Sequence, residues 1–256
     1  MFRGLYGASS AMLVQEKVID VASNNLANVD TAGFKRRISV NKSFPEVMIE
    51  RREAVGPFER QVYWPIGSAS LNVVLSETTV DLSEGQVVST DNPLDVAISG
   101  RGFFSLRDGA GNIFYSRAGN FTLDANGFIV NQEGLTLLGD GGVPINVGDV
   151  SSVAIDERGT VVADGEILGA IQLFEFANPT YLRNYAKNLF QANEAAGEPV
   201  LVETPMLVPG ALEKSNVNVV YEMVRLIEGQ RAYEASARTL TMQDEQTGSM
   251  INTYGR

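Results

Sequence analysis

Apolar residues near the beginning of the chain recur at an interval of seven positions. One row is formed by Leu5, Met12, Ile19 and Leu26, and a companion row by Ala8, Gln15, Ala22 and Val29. A heptad interval is typical of a helix that packs lengthwise against a partner helix, and small residues in the seam allow the two backbones to approach closely. The pattern therefore predicts a long amphipathic helix at the N-terminus.

The end of the chain repeats this interval. Its rows contain Val219, Leu226, Tyr233 and Leu240, and, in or near register, Met223, Gln230, Ala237 and Ile251. Ser215 and Asn216 are suited to cap a helix at its start, no proline follows them, and Gly229 is a tolerated weak point. Neither terminal helix can bury its apolar stripe alone. A stripe at both ends of one chain favours an association device over a simple core.

Residues 86–176 show a different pattern, in which short β-rich runs alternate with turn dipeptides. The turn pairs are Asp108-Gly109, Gly111-Asn112, Asn126-Gly127, Asp140-Gly141 and Asp164-Gly165. Their spacing is typical of β-hairpins, and glycine supplies the positive φ that type I′ turns require. The pattern predicts an antiparallel all-β domain inserted between the two helices.

These patterns together predict an α+β protein with a discontinuous helical part. Long N- and C-terminal helices pair as a coiled-coil-like unit, and a mainly antiparallel all-β domain lies between them in the sequence. We expect residues 1–34 and 215–256 to form the helical assembly domain and residues 81–180 to form the β domain. Residues 35–80 and 181–214 show no clear period and are predicted to be extended linkers.

Three asparagines, Asn24, Asn25 and Asn28, lie in the last turns of the predicted N-terminal helix, although asparagine is a poor helix former. Asn28 is suited to end the helix, because asparagine tolerates a left-handed backbone. Asn24 and Asn25 can bond neighbouring subunits through their amides and fix register, as a buried asparagine does in coiled coils. Capping alone is the competing interpretation.

The chain contains no cysteine and no histidine. This excludes a disulfide framework, a thiolate nucleophile, a Ser-His-Asp triad and a zinc site with Cys or His ligands. Residues 124–127 begin like a calcium loop but lack its distal Glu, and residues 139–142 lack the Lys of a phosphate-binding loop. Asp91 and Asp95 would need a cleft to act as a glycosidase pair. We therefore expect no enzyme activity, no cofactor and no metal.

The net charge of −11 is unevenly distributed. Residues 35–60 contain seven basic and four acidic side chains, whereas residues 61–175 contain fifteen acidic and four basic ones. An acidic middle argues against a nucleic-acid partner, which requires concentrated Lys and Arg. The chain has neither an apolar run long enough for a membrane span nor the pattern of a Sec signal at its start.

Four sequence blocks together resemble bacterial flagellar basal-body rod and hook proteins. They are residues 24–31 with 33–36, residues 90–98 with 100 and 102–104, residues 116–124 with 126 and 127, and residues 212–219 with 230–234. The resemblance implies a structural rod subunit, exported by the flagellar type III apparatus without a Sec signal. It also implies polymerisation with itself and other axial proteins across the periplasmic space, with the helices in an inner layer and the β domain outside.

Within that family, the start MFRGLYGASSAM and residues 44–49 favour the proximal-rod type, and the distal-rod type is the alternative. A rival of another class is a secreted β-rich adhesin or carbohydrate-binding module. Its aromatic binding face would be drawn from Phe103, Phe104, Tyr115 and Phe121.

The residues expected at the contact between rod subunits come from both terminal helices. They are Leu5, Met12, Ile19, Asn24, Asn25, Leu26, Asn28, Val219, Met223, Leu226, Tyr233 and Leu240.

Overall fold

The structure is a computed structural model that describes residues 3–43, 46–55, 60–69, 73–148, 150 and 152–254. Two long helices lie at the ends of the chain, α1 at Arg3–Ala27 and α2 at Val219–Tyr254. Short, mainly antiparallel strands occupy the sequence between them. The predicted α+β class, with terminal helices and an inserted antiparallel β region, is confirmed. Within the described residues, neither helix contains an apolar stretch sufficient to cross a lipid bilayer.

The chain divides into two compact units. The first combines Met1–Asn24, Arg37–Thr79 and Val220–Arg256, and the second combines Asn25–Arg36 and Val80–Val219. The predicted domain bounds stay a prediction. Both segments that were predicted to be extended linkers contain paired strands. Their pairing is hard to predict from sequence, since several of the strands pair with distant parts of the chain.

In the first unit, the two helices pack antiparallel. A Cβ atom built on Gly229 would lie 3.0 Å from Ile19 Cγ1, and one built on Gly4 would lie 2.5 Å from Gln243 Nε2. Residues later in α2 therefore lie beside residues earlier in α1, as expected for antiparallel helices. Because Gln243 faces the start of α1, the last turns of α2 extend beyond the other helix.

Four strands follow α1 in sequence. They are β1 at Arg37–Ser43, β2 at Val47–Val55, β3 at Arg60–Ala69 and β4 at Val73–Val80. β2 and β3 form an antiparallel hairpin with a register shift between Ile49 and Glu50, and β1 pairs with β4. Apart from Val80, these strands belong to the first unit.

The second unit contains sixteen strands within its described residues. They are β5 at Val87–Ser89, β6 at Val96–Ile98, β7 at Phe103–Arg107, β8 at Ile113–Ser116, β9 at Thr122–Leu123, β10 at Ile129–Val130, β11 at Thr136–Leu137, β12 at Val153–Ile155, β13 at Thr160–Ala163, β14 at Glu166–Ala170, β15 at Leu173–Glu175, β16 at Arg183–Asn184, β17 at Leu189–Gln191, β18 at Val200–Leu201, β19 at Leu207–Pro209 and β20 at Ala211–Glu213. The largest sheet has the order β16-β17-β8-β7-β11-β10-β9, with β15 joining β7 to β18. Smaller sheets are β12-β13-β14, β19-β6 and β20-β5.

The core of the second unit contains the aromatic residues that the adhesin alternative would need on its surface. Phe103, Phe104, Tyr115 and Phe121 are 3%, 0%, 6% and 1% exposed. Phe104 packs edge-to-face on Phe121 at 5.2 Å between ring centroids, a geometry favoured by the ring quadrupoles. These four residues therefore do not form the exposed aromatic face that the adhesin alternative requires.

Candidate functional site

The buried face of α2 is lined by small and polar residues. Glu222, Gly229, Ser236 and Gln243 recur every seven positions; the first two are buried and the others half-buried. The companion row on α1 is similar, with Ala8 and Ala22 buried and Gln15 half-buried. Small residues at the seam allow the close approach of the helices near Gly229.

The apolar rows predicted from the sequence lie at the border of this seam. Half-buried positions are Leu5, Met12, Ile19, Leu26, Val219, Leu226 and Leu240, and exposed positions are Met223 and Tyr233. The helix pair therefore covers these rows only in part. Their contact with other subunits stays a prediction.

A further apolar stripe on α2 was not among the predicted interface residues. Val220, Val224 and Ile227 are 71%, 48% and 49% exposed, and their spacing of four and three places them on one side of the helix. On α1, the exposed Tyr6 and Leu13 are one heptad apart. This spacing is present in the sequence, but the predicted heptad rows define one packing face per helix and do not include these residues. We call Val220, Val224 and Ile227 the open stripe.

The three asparagines at the end of α1 differ in burial. Asn24 is exposed, whereas Asn25 and Asn28 are buried. The Asn28 N–H donates to the Asn25 carbonyl at 3.2 Å, and the Thr31 hydroxyl donates to Asn28 Oδ1 at 3.3 Å. Asn28 thus takes part in the turn that ends the helix. The backbone of Asn28 does not adopt the left-handed conformation that asparagine tolerates. Gly33, five residues later, adopts it with φ 65°.

A buried ionic cluster lies in the second unit, where the segment after α1 meets the segment before α2. Lys35 Nζ lies 2.5 Å from Glu213 Oε1, and Arg117 Nη1 lies 3.5 Å from Glu213 Oε2. These side chains are at most 5% exposed. Lys35 also donates to the Ser83 carbonyl at 2.7 Å, and the Gly85 N–H donates to Glu213 Oε1 at 2.8 Å.

Burial and ion pairing shift the pKa values of the two cations of this cluster in opposite directions. Burial lowers the pKa of Lys35, and the hydrogen bond and negative charge of Glu213 oppose that effect. Burial likewise lowers the pKa of Arg117, again opposed by the charge of Glu213. Because charged groups are costly to bury unless they are paired, both cations depend on this carboxylate. The Arg117 guanidinium also lies 5.5 Å from the centroid of the Phe103 ring, within cation–π range.

Glycines bring the backbones of this region into direct contact. A Cβ on Gly33 would overlap the backbone of Ala118, and one on Gly119 would overlap the Val96 carbonyl. The Gly33 N–H donates to the Glu213 carbonyl at 2.8 Å. Only residues without a side chain allow such approaches.

Asn216 completes the junction. Its Oδ1 accepts the Arg36 N–H at 2.7 Å, and its Nδ2 donates to the Asp81 carbonyl at 2.9 Å. Parts of the four sequence blocks that carry the family resemblance therefore contact one another in the second unit, whereas residues 230–234 lie on α2 in the first unit. These contacts hold residues 33–36 and 211–217 against the β domain. Among the described residues, no group of three or more Asp, Glu, His or Cys is arranged to hold a metal ion.

Paired terminal helices with exposed apolar residues and an inserted antiparallel β region are typical of a structural protein. Comparison with known families specifies which one. The model of the flagella basal body rod protein matches residues 5–35, that of the flagellar hook protein FlgE/F/G D1 domain residues 97–163, and that of the flagellar basal body rod FlgEFG protein C-terminal residues 208–253.

Relatives match along nearly the whole chain. The flagellar basal-body rod protein FlgG of Buchnera aphidicola subsp. Acyrthosiphon pisum is 34% identical over 256 residues, which cover 96% of this chain and 97% of the relative. FlgG of Bacillus subtilis is 32% identical, covering 98% and 99%. FlgF of Caulobacter vibrioides is 31% identical, covering 100% and 99%. The chain belongs to the flagellar basal-body rod protein family and is a structural subunit of the bacterial flagellar rod.

Proposed function

We propose that this rod subunit polymerises through its terminal helices into the drive shaft that transmits torque. The open stripe is the observation that carries the proposal. Burying a large aliphatic side chain contributes roughly 1.5–3 kcal/mol, and Val220, Val224 and Ile227 are each about half exposed or more. A neighbouring copy that covers the stripe gains the part of this free energy that corresponds to the exposed fraction of each side chain, in every subunit of the polymer.

The ionic cluster gives the second unit the stiffness that such a shaft needs. Torque transmission requires that the segments leading from and to the helices do not slide on the β domain. Lys35, Arg117 and Glu213 fix these segments through charged contacts, and Gly33 fixes them through backbone contact. Low-dielectric surroundings strengthen such contacts.

The partners of the subunit are itself, other flagellar axial proteins and, during export, the flagellar type III apparatus. The relatives named FlgG support a subunit of the FlgG kind. Proximal or distal position in the rod stays a prediction, with the proximal type favoured by the sequence. Catalysis, nucleic-acid binding and membrane insertion form no part of this function.

Substitution of the open stripe tests the proposal. Ile227→Glu places a charge on the stripe, and we expect loss of polymerisation with the monomer fold retained. Ile167→Glu is the matched control, because Ile167 is 73% exposed on β14. Electron microscopy of basal bodies from a deletion strain carrying each variant shows whether a rod forms. A complete rod with Ile227→Glu would exclude the open stripe as the assembly contact.

A further inference from the structure

A polar cavity of about 550 Å³ opens on the second unit, apart from the open stripe. Of the residues that line it, three are carboxylates, Asp30, Asp95 and Glu133, and one is an ammonium, Lys187. The formal charge of the lining is therefore about −2 at neutral pH. A cavity with this charge favours a cationic occupant.

One buried side chain in the lining has an unused acceptor. Asn188 is 6% exposed, and within the described part of the chain its Oδ1 has no hydrogen-bond partner. Its backbone carbonyl accepts the Ser116 hydroxyl at 2.9 Å, so Ser116 does not occupy the amide oxygen. A buried acceptor without a donor is costly, and an occupant that brings N–H groups removes this cost.

The chain itself carries a cation of the required kind. Residues 35–60 have seven basic and four acidic side chains, the opposite of the acidic segment at 61–175 that supplies Asp95 and Glu133. On the strands of this basic segment, Lys42 of β1 and Arg51 of β2 are exposed. A guanidinium presents several N–H donors in one plane, which suits a carboxylate beside an amide oxygen.

We propose that the cavity receives Arg51 of a second copy of this chain. The proposal rests on the proposed function, since it requires that copies associate. The guanidinium donates to Asn188 Oδ1 and to a carboxylate of the cavity, and Lys42 adds to the attraction. The helices thus supply apolar contact between copies, and the strand and cavity supply charge complementarity, which sets orientation and register.

Charge reversal on each side and on both sides tests this contact. The full chain is compared with Glu133→Lys, Arg51→Glu and the double variant by sedimentation velocity over a range of protein and salt concentrations. We expect each single reversal to raise the midpoint concentration of association by about tenfold. The double variant, in which the charges are exchanged, lowers this midpoint again by about threefold relative to Arg51→Glu alone. Its rescue is partial, because a carboxylate at position 51 can pair with the new lysine but cannot donate to Asn188 Oδ1. Salt weakens the contact of the wild-type chain by screening an attraction, whereas in the single reversals it screens a repulsion.

Matched reversals at other exposed positions, Glu198→Lys and Arg158→Glu, leave association unchanged. Asp30→Lys is a second cavity variant that keeps the 2.7 Å hydrogen bond from Asn131 Nδ2 to Glu133. Circular dichroism verifies the fold of each variant.

The outcomes separate this contact from the proposed function. If Ile227→Glu weakens association and no cavity or strand reversal does, the cavity contact is wrong and helix-driven assembly stands. If Arg51→Glu weakens association and the double variant associates no better than Arg51→Glu alone, Arg51 does not enter this cavity. A wild-type chain that stays monomeric at every concentration overturns both.

Discussion

Glu213 places one carboxylate between two buried cations, Lys35 and Arg117. Each cation loses hydration on burial, and the carboxylate offsets this loss through charge and hydrogen bonding. The three residues are far apart in sequence, since Lys35 and Glu213 are separated by 178 positions. At the scale of single residues, the junction therefore depends on a charge balance that only the folded chain assembles.

Replacing Glu213 with Gln should be strongly destabilising. The neutral amide removes the carboxylate that pairs directly with both buried cations, and breaking a buried ion pair in this way costs about 3–5 kcal/mol. Urea unfolding followed by circular dichroism measures the loss. The control Glu198→Gln, at an exposed position, should change stability by no more than about 0.5 kcal/mol. A loss below about 1 kcal/mol for Glu213→Gln would show that the cluster is solvated.

Gly33 should tolerate alanine less well than another glycine with a similar backbone. Gly33 and Gly134 have φ of 65° and 80°, but only a Cβ on Gly33 would meet the backbone of Ala118. Gly134→Ala should cost about 1 kcal/mol through its backbone alone, and Gly33→Ala should cost clearly more. Thermal unfolding compares the two variants. Equal losses would mean that the backbone of Ala118 yields.

At the scale of elements, the heptad pattern predicts the two helices better than it predicts their packing. The heptad rows predict both helices and the small residues that α1 places in the seam. They do not predict the seam of α2, because Glu222, Gly229, Ser236 and Gln243 give no apolar period. Likewise, the strands at 37–80 do not show a regular alternation of apolar residues along their length. Their hydrogen-bonded pairing is therefore not evident from the sequence pattern. The sequence pattern thus predicts where the helices lie, whereas tertiary packing determines which face of each helix is buried.

Gly229 should be required for the helix pair, although glycine is a poor helix former. A leucine at this position would push against Ile19, because even a Cβ would lie 3.0 Å from Ile19 Cγ1. We expect Gly229→Leu to raise the protein concentration needed for assembly by at least about tenfold. Gly248→Leu is the control, since a Cβ there meets nothing within 4 Å. Pelleting assays measure the protein concentration that each variant needs for assembly. Equal concentrations for the two variants would contradict close packing at Gly229.

On the scale of the whole molecule, stability is unevenly distributed between the two units. The second unit has two buried hydrophobic clusters with edge-to-face aromatic pairs. Apart from Val14, the residues that the helices of the first unit bury are small or polar, and many apolar side chains on these helices are exposed. Helices with so little apolar burial gain most of their stability from tertiary partners. The proposed function therefore implies a stable β domain and terminal helices whose apolar burial is completed by neighbouring subunits.

Hydrogen exchange should reveal this difference. In the monomer, we expect amides at 5–28 and 219–250 to exchange fast and those of β7 and β8 to exchange slowly, because local stability follows buried apolar contact. In the polymer, the helices should become protected as well. Mass spectrometry of both states gives the measurement. Strong protection of the helices in the monomer would show that assembly is not needed to order them.

The stagger of the helix pair has a consequence for growth. Since Gln243 lies beside Gly4, the last turns of α2 have no counterpart on α1, and Met250 and Ile251 are exposed there. The two ends of the helix pair therefore differ from each other. Unlike ends join head to tail, and such joining produces rings or open helical filaments. A shaft built from these subunits is expected to have a polarity, with one end suited to receive the next subunit.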